Sequence, residues 1–184
     1  MTDLILVRPS LDFVETIAAY KDEFLQRKEP LNGGAHLEDY TDLKDWINHT
    51  RAIETEAGVE KDRAPSSTFL FIRQSDQKMV GICNIRHHLN QNFLINFAGH
   101  IGYSVCPSER RQGYAKEQLR LALIEAGKLG IAKVLVTCDN HNIASEKTIL
   151  ANGCIYENTD IDPEDHSQIK RFWIEVNHGN KPQR

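Results

Sequence analysis

Residues 99–115 read GHIGYSVCPSERRQGYA, and this stretch governs how the rest of the chain is interpreted. Its first half reads as a β-strand that ends at Pro107, because proline has no N–H group to donate to a neighbouring strand. Its second half, residues 110–115, has the pattern Arg-x-x-Gly-x-Ala. Gly113 allows a sharp bend of the backbone. The stretch therefore predicts a strand, a glycine turn and the start of a helix.

The turn has the chemistry of an anion site. The first N–H groups of a helix lack partners within the helix and lie at the positive end of its dipole, an arrangement that suits phosphate or pyrophosphate. Arg110 and Arg111 add positive charge beside them. The alternative interpretation is an ordinary strand-to-helix turn with a basic cap, since turns that contain glycine are common.

The residues after the turn continue the pattern of an α/β unit. A helix follows Gly113, with apolar residues at helical spacing, and Gly130 ends it. Residues 134–138 read as a buried strand, and a short helix begins near Asn142 and ends at Gly153. Asn142 is a suitable N-cap for that helix.

Residues 99–153 resemble the acetyl-CoA-binding core of the GNAT acetyltransferase superfamily. Residues 105–107 match the Val-x-Pro end of that family's central strand, and residues 110–115 match its Gln/Arg-x-x-Gly-x-Gly/Ala motif. Asn142, Ser145 and Gly153 match positions further along. Neither the Walker phosphate loop nor the dinucleotide fingerprint Gly-x-Gly-x-x-Gly is present in this stretch. The resemblance implies an α/β (α+β) fold with a mixed, mostly antiparallel sheet, splayed at its middle and flanked by helices on both faces.

The same resemblance implies acetyl-CoA as co-substrate and direct acetyl transfer to a primary amine. The amine must attack as the neutral base. The Val105 N–H would stabilise the charge that develops on the thioester oxygen, and Arg111 is the better candidate for a side-chain contact with the pyrophosphate. The full set of expected cofactor contacts is Tyr103, Ser104, Val105, Arg110, Arg111, Gln112, Gly113, Tyr114, Ala115, Asn142 and Ser145.

The proton-transfer groups are less well defined by the sequence. His88 or its neighbour His87 is a candidate general base, and so is His100, which lies one residue from a glutamate position common in the family. The alternatives are a loop histidine held by local hydrogen bonds and a buried histidine satisfied by backbone.

The general acid is in question as well. Many relatives carry a tyrosine where this chain has Ile149, so Tyr103, Tyr156 or water would have to serve. That substitution keeps open a second function, an acyl-CoA-binding module without turnover.

Composition limits the partners. The 184 residues have 40% hydrophobic content and a net charge of −4, which fits one domain over residues 1–184 and argues against nucleic acid. No apolar run reaches the length of a membrane span. Four separated cysteines indicate reduced thiols in a cytoplasmic protein without a metal site.

The expected acceptor is a small-molecule or peptide amine: a polyamine, an aminoglycoside, an amino acid or a protein N-terminus. In the family that the chain resembles, subunits commonly pair through their edge strands, so a homodimer is possible here.

The flanking segments give coarser predictions. Helices are expected over 11–27 and 37–56, the second either an acidic lid that attracts a cationic amine or a solvated face. A hairpin is expected from 68–72 and 79–85, and closing strands from 154–157 and 169–174. The acidic link 158–168 is interpreted as a loop rather than a calcium site, since EF-hand spacing is absent. Residues 177–184 are expected to be a polar tail.

Overall fold

Seven strands form two antiparallel sheets in the computed structural model, which describes residues 3–61 and 63–176. The first sheet has the order β1-β2-β3-β4 and the second has the order β5-β7-β6. The predicted tail 177–184 lies outside the described residues. The strands are β1 (Leu4–Val7), β2 (Ser66–Arg73), β3 (Lys78–Arg86), β4 (Ile101–Val105), β5 (Lys133–Asp139), β6 (Ile155–Ile161) and β7 (Gln168–Glu175).

Helices cover both faces of the first sheet. They are α1 (Val14–Arg27), α2 (Leu43–Ala52), α3 (Tyr114–Lys128) and α4 (Ile143–Leu150). One hydrophobic core contains residues of α1 and α2, and a second contains residues of α3 and α4. Short 3₁₀ turns occupy Leu11–Phe13, Leu37–Asp39, Glu56–Gly58 and Pro107–Glu109, and one π-helical turn occupies Leu94–Ala98. The predicted layering is confirmed.

The two sheets meet at the start of β4. The His100 N–H donates to the Leu135 carbonyl at 2.8 Å, and the Leu135 N–H donates to His100 Nδ1 at 2.9 Å. Beyond this point, among the residues that the structure describes, β4 pairs only with β3, as far as Val105 opposite Gly81, and β5 pairs only with β7. The sheet is therefore splayed at its middle, as the family resemblance implied.

Two sequence-based predictions had wrong boundaries. The helix expected over 37–56 spans only Leu43–Ala52, and it begins at Leu43 because the Asp42 side chain accepts the Lys44 N–H at 2.8 Å and caps it there. The loop expected from residue 158 begins after Ile161 instead. β6 is an exposed edge strand, so its polar residues face solvent and give no apolar alternation to detect.

The four cysteines are free and buried, as predicted: Cys83, Cys106, Cys138 and Cys154.

Candidate active site

The glycine turn has the geometry that its sequence predicts. Gly113 is the N-cap of α3 with a φ of +85°, a conformation that favours glycine. The first bond of the helix runs from the Glu117 N–H to the Gly113 carbonyl at 3.3 Å. The N–H groups of Tyr114, Ala115 and Lys116 therefore have no partner within the helix and lie at its positive end. This is a suitable position for a pyrophosphate.

The two adjacent arginines of the turn have different environments. Arg110 forms an ion pair with Glu29 at 2.5 Å, and its Nε donates to the Val105 carbonyl at 3.4 Å. The Arg111 side chain is exposed and has no ion pair within residues 3–61 and 63–176. Arg111 is thus the arginine that can reach a ligand without breaking an existing contact.

A buried carboxylate, that of Glu109, supports the turn through hydrogen bonds. Glu109 is 8% exposed and accepts hydrogen bonds from Arg73 at 2.6 Å and Lys78 at 2.8 Å, and these bonds lower its pKa. It also accepts from Gln112 Nε2 at 3.2 Å, while Arg73 donates to the Tyr114 hydroxyl at 3.0 Å. Glu109 and Arg73 therefore hold both sides of the turn. Sequence reasoning missed this network because Arg73 lies 36 residues earlier in the chain.

The free edge of β4 presents backbone amides to the opening between the sheets. The Cys106 N–H donates to the Val80 carbonyl in β3 at 2.8 Å. Alternate residues of an antiparallel strand point their N–H groups in opposite directions. The N–H groups of Tyr103 and Val105 therefore face away from β3, toward the side where β5 has separated.

Three of the predicted cofactor residues meet across this opening. The Tyr103 hydroxyl lies 3.0 Å from Ser145 Oγ. Asn142 Oδ1 accepts the Ser145 N–H at 3.0 Å, which confirms Asn142 as the cap of α4. Burial raises the pKa of Tyr103 to about 12. Its phenol therefore remains a hydrogen-bond donor at neutral pH.

The geometry of His100 favours a structural role. Its side chain is 7% exposed and its Nδ1 accepts the Leu135 N–H, so the proton of the neutral ring is on Nε2. Burial, with a smaller contribution from Arg86, lowers the pKa to about 4. The neutral ring has no free lone pair to accept a proton from an amine. Of the two interpretations left open by the sequence, the buried histidine satisfied by backbone is the one that matches these contacts.

The structure does not bring His88 or His87 to the opening. His88 Nε2 lies 3.1 Å from Glu56, and His87 Nε2 lies 2.9 Å from Ser67 Oγ. Both follow the end of β3 that adjoins His100, whereas Val105 lies at the other end of β4, five residues or roughly 16 Å along the strand. These contacts match the alternative of loop histidines held by local hydrogen bonds.

A loop covers the other face of β4. Ser104 Oγ donates to the Asn32 carbonyl at 2.7 Å. A Cβ on Gly33, whose φ is +76°, would lie 2.3 Å from the Gly102 carbonyl oxygen. The loop therefore rests directly on the strand, and only glycine allows this approach.

Two further positions bear on the general acid. Ile149 is fully buried, so the place where many relatives carry a tyrosine belongs to the core. The Tyr156 hydroxyl bonds Thr159 at 2.9 Å on the outer strand β6, away from the opening. Among the tyrosines proposed from the sequence, Tyr103 is the one at the site.

Within the described residues, no group of three or more His, Cys, Asp or Glu side chains is arranged to hold a metal ion. No helix in that part of the chain is long and apolar enough to cross a membrane.

Comparison with known proteins gives a family and a fold. The sequence profile of the acetyltransferase (GNAT) domain matches residues 3–155. No curated protein sequence matches the chain. Similar solved structures include the ribosomal L7/L12 α-N-protein acetyltransferase RimL in complex with coenzyme A, with 17% identity, 97% coverage of both chains and a TM-score of 0.67.

Two further structures are similar over nearly the whole chain. The ribosomal-protein-S5-alanine acetyltransferase from Vibrio fischeri is 14% identical, with 96% of this chain and 95% of that chain covered and a TM-score of 0.68. The dodecameric spermidine N-acetyltransferase from Vibrio cholerae is 12% identical, with 95% and 94% covered and a TM-score of 0.63. At these identities the likeness shows the fold alone.

Proposed function

The chain belongs to the GNAT acetyltransferase family, and from that premise we propose that its acceptor is the α-amino group of a polypeptide N-terminus. The protein is an N-acetyltransferase that uses acetyl-CoA. We also propose that residues 1–184 form one domain around the core 99–153. The single observation that carries the acceptor proposal is the absence of an available base among the histidines predicted from the sequence.

The acceptor amine must lose a proton before it can attack the thioester. His100 Nδ1 is occupied by the Leu135 N–H, and His88 lies at the far end of β4. An α-amino group has a pKa of about 7.7–8.0, whereas an aliphatic side-chain amine such as lysine has one of about 10.4. At neutral pH a much larger fraction of the α-amine is already neutral. A site in which these histidines are not available as bases therefore suits an α-amine better than a polyamine.

We propose the following roles for the cofactor residues. The N–H groups of Gly113, Tyr114 and Ala115 and the Arg111 side chain bind the pyrophosphate, and Gln112 steadies the turn through Glu109. Arg110 braces the end of β4 through the Val105 carbonyl. Ser145 and the free amide nitrogen of Asn142 bind the pantetheine arm. The Val105 N–H, on the free edge of β4 with the Tyr103 N–H, stabilises the charge on the thioester oxygen.

Tyr103 is the proposed donor to the departing thiolate. Its pKa of about 12 lies several units above that of an ordinary thiol, so full proton transfer would be uphill. We infer that it donates a hydrogen bond and that the proton released by the amine neutralises the sulfur. Burial raises the pKa of Cys106 to about 11, so this thiol is a poor nucleophile and direct attack by the amine is favoured.

Other observations support this reading. Two of the similar structures are, by their descriptions, ribosomal-protein acetyltransferases, one of them acting at the α-amino group.

Exposed Ile155 and Ile161 on edge strand β6 support the expected homodimer. The free cysteines support a cytoplasmic location. Spermidine is the second candidate acceptor, since a spermidine acetyltransferase is among the similar folds and the 158–168 segment carries four acidic residues.

The test has two stages. Calorimetric titration with acetyl-CoA, CoA and NADH should give binding of both CoA species and none of NADH. Thiol release is then measured with short peptides that begin with serine or alanine, with the same peptides N-acetylated as matched controls, and with spermidine. Turnover of free but not acetylated peptides is expected. Turnover of spermidine alone would contradict the acceptor proposal, and binding without turnover of any amine would favour the acyl-CoA-binding module.

A further inference from the structure

The carbonyl of Ser104 receives two side-chain hydrogen bonds, one from each face of β4. The Tyr20 hydroxyl, from α1, lies 3.0 Å from it. Gln118 Nε2, from α3, lies 3.1 Å from it and also donates to the Ile82 carbonyl at 2.6 Å. Both side chains are essentially buried, at 1% and 0% exposure. Helices from the two opposite cores therefore converge on one peptide group of the central strand.

The direction of these hydrogen bonds follows from their surroundings. Ser104 Oγ lies 2.7 Å from the Asn32 carbonyl, which can only accept, so the serine hydroxyl donates there. The Tyr20 hydroxyl must then donate to Ser104 rather than accept from it, and its one proton is shared between the Ser104 carbonyl at 3.0 Å and Ser104 Oγ at 2.9 Å. Burial raises the pKa of Tyr20, which keeps its proton in place. Gln118 faces two carbonyls, so its NH₂ group must point toward them.

The amide of Gln118 is retained at a cost to stability. Its Oε1 is buried and has no hydrogen-bond partner among the described residues. It lies where a Cβ on Gly81 would come within 2.2 Å, so the glycine leaves room for it. An unsatisfied buried oxygen is destabilising, and a hydrophobic side chain would fill the same space without it. This cost calls for an explanation beyond core packing.

The explanation lies in the other end of the same peptide group. The peptide between Ser104 and Val105 is trans, so its C=O and N–H point in opposite directions. The carbonyl points toward β3 and the helices, and the N–H of Val105 points into the opening between the sheets. Hydrogen bonds accepted by a carbonyl polarise the amide and strengthen the bond that its N–H donates. They also fix the plane of the peptide.

We infer that Tyr20 and Gln118 are positioning residues for acetyl transfer, which orient and polarise the Val105 N–H toward the thioester oxygen. This inference rests on the proposed binding of acetyl-CoA at β4. Neither side chain contacts the substrate itself; both act through the Ser104–Val105 peptide. The pair sits in two different cores, so its effect on the amide is separable from the packing of either helix.

The test uses acetyl-CoA labelled with ¹³C at the acetyl carbonyl and isotope-edited infrared spectroscopy of the bound thioester. A hydrogen bond to this oxygen lowers the C=O stretching frequency. The variants are Tyr20→Phe, Gln118→Met and the double variant, and the controls are Tyr40→Phe and Gln26→Met, which lie outside the site. Calorimetry gives the Kd of acetyl-CoA for each protein.

We expect a downshift in the wild type, and each single variant should lose about a tenth to a third of it, with an additive loss in the double variant. The Kd should stay within about twofold, because the ground-state contacts of the cofactor are elsewhere, and the controls should match the wild type.

Equal frequencies in all proteins, or no downshift in the wild type that binds acetyl-CoA, would overturn this inference but not the cofactor site. Weaker binding in both variants would indicate a packing role and also overturn it. Failure of the wild type to bind acetyl-CoA would refute the proposed function itself. If Gln118→Met does not fold, Tyr20→Phe alone decides.

Discussion

The Tyr103 hydroxyl lies 3.0 Å from the Ser145 hydroxyl and links β4 to α4 across the opening between the two sheets. Ser145 in turn is fixed by the Asn142 cap at the start of α4. We expect a ligand that enters this opening to lie beside the pair. The contact joins the β4 side of the opening to the α4 side.

Replacement of Tyr103 by phenylalanine should reduce kcat. A hydrogen bond to a charged group contributes about 1.5–3 kcal/mol, so its loss at the departing thiolate should lower kcat by roughly tenfold to a hundredfold. The Kd of acetyl-CoA should change much less, because the thiolate forms only during the reaction. Steady-state kinetics with an accepted amine measures the effect. Tyr156→Phe is the matched control, and an unaltered kcat in Tyr103→Phe would assign the role to water.

The two adjacent arginines of the turn should have different effects when replaced, one on the binding of CoA and the other on the stability of the fold. Arg111→Ala should raise the Kd of CoA about fivefold or more through the loss of a charge-assisted contact with phosphate. Arg110→Ala should change the Kd by less than about twofold and act on stability instead, since its partners are Glu29 and the Val105 carbonyl. Calorimetry at low and high salt measures both. Equal Kd values for Arg111→Ala and the wild type would count against the pyrophosphate site.

His100 should make the protein less stable in acid. Its pKa is lowered to about 4 in the folded chain, against about 6.5 in the unfolded chain. The unfolded state therefore takes up a proton first as the pH falls below 6.5. Between pH 7 and pH 5 this linkage removes about 2 kcal/mol from the free energy of unfolding.

The variant His100→Asn tests this linkage, because asparagine keeps an acceptor near the position of Nδ1 and does not titrate. Urea denaturation at pH 7 and pH 5 should show a smaller loss in the variant. The pKa of His49 and that of His87 are also lowered, so some loss remains in both proteins. Turnover should persist in His100→Asn; its abolition, together with a changed pH–rate profile, would restore His100 as the base.

Two glycines with nearly equal backbone angles make a matched pair. Gly33 has a φ of +76° and contacts the Gly102 carbonyl, whereas Gly130 has a φ of +86° and nothing within 4 Å of an added Cβ. Gly130→Ala should cost about 1–2 kcal/mol of backbone strain. Gly33→Ala should cost more and raise the KM of the acceptor, because its loop must move off β4. Equal losses in urea denaturation would mean that the loop does not rest on the strand in solution.

The sequence was informative where chemistry depends on consecutive residues. The turn at 110–115, the end of β4 before Pro107 and the cap at Asn142 all follow from local backbone preferences. What could not be predicted depends on contacts distant in sequence. Arg73 reaches Glu109 from another strand, and Tyr20 reaches Ser104 over 84 residues. His100 was ambiguous for the same reason, since its partner Leu135 lies in the other sheet.

The position of β7 determines which truncations the protein can tolerate. This strand is the last in the described chain, yet it lies between β5 and β6 rather than at a margin of its sheet. A nonsense or frameshift mutation between residues 162 and 167 would spare every helix of the described residues but remove the centre of the second sheet. β5 and β6 would then expose unpaired edges, which favour aggregation. In a genetic screen, truncations between residues 162 and 167 should behave as null alleles.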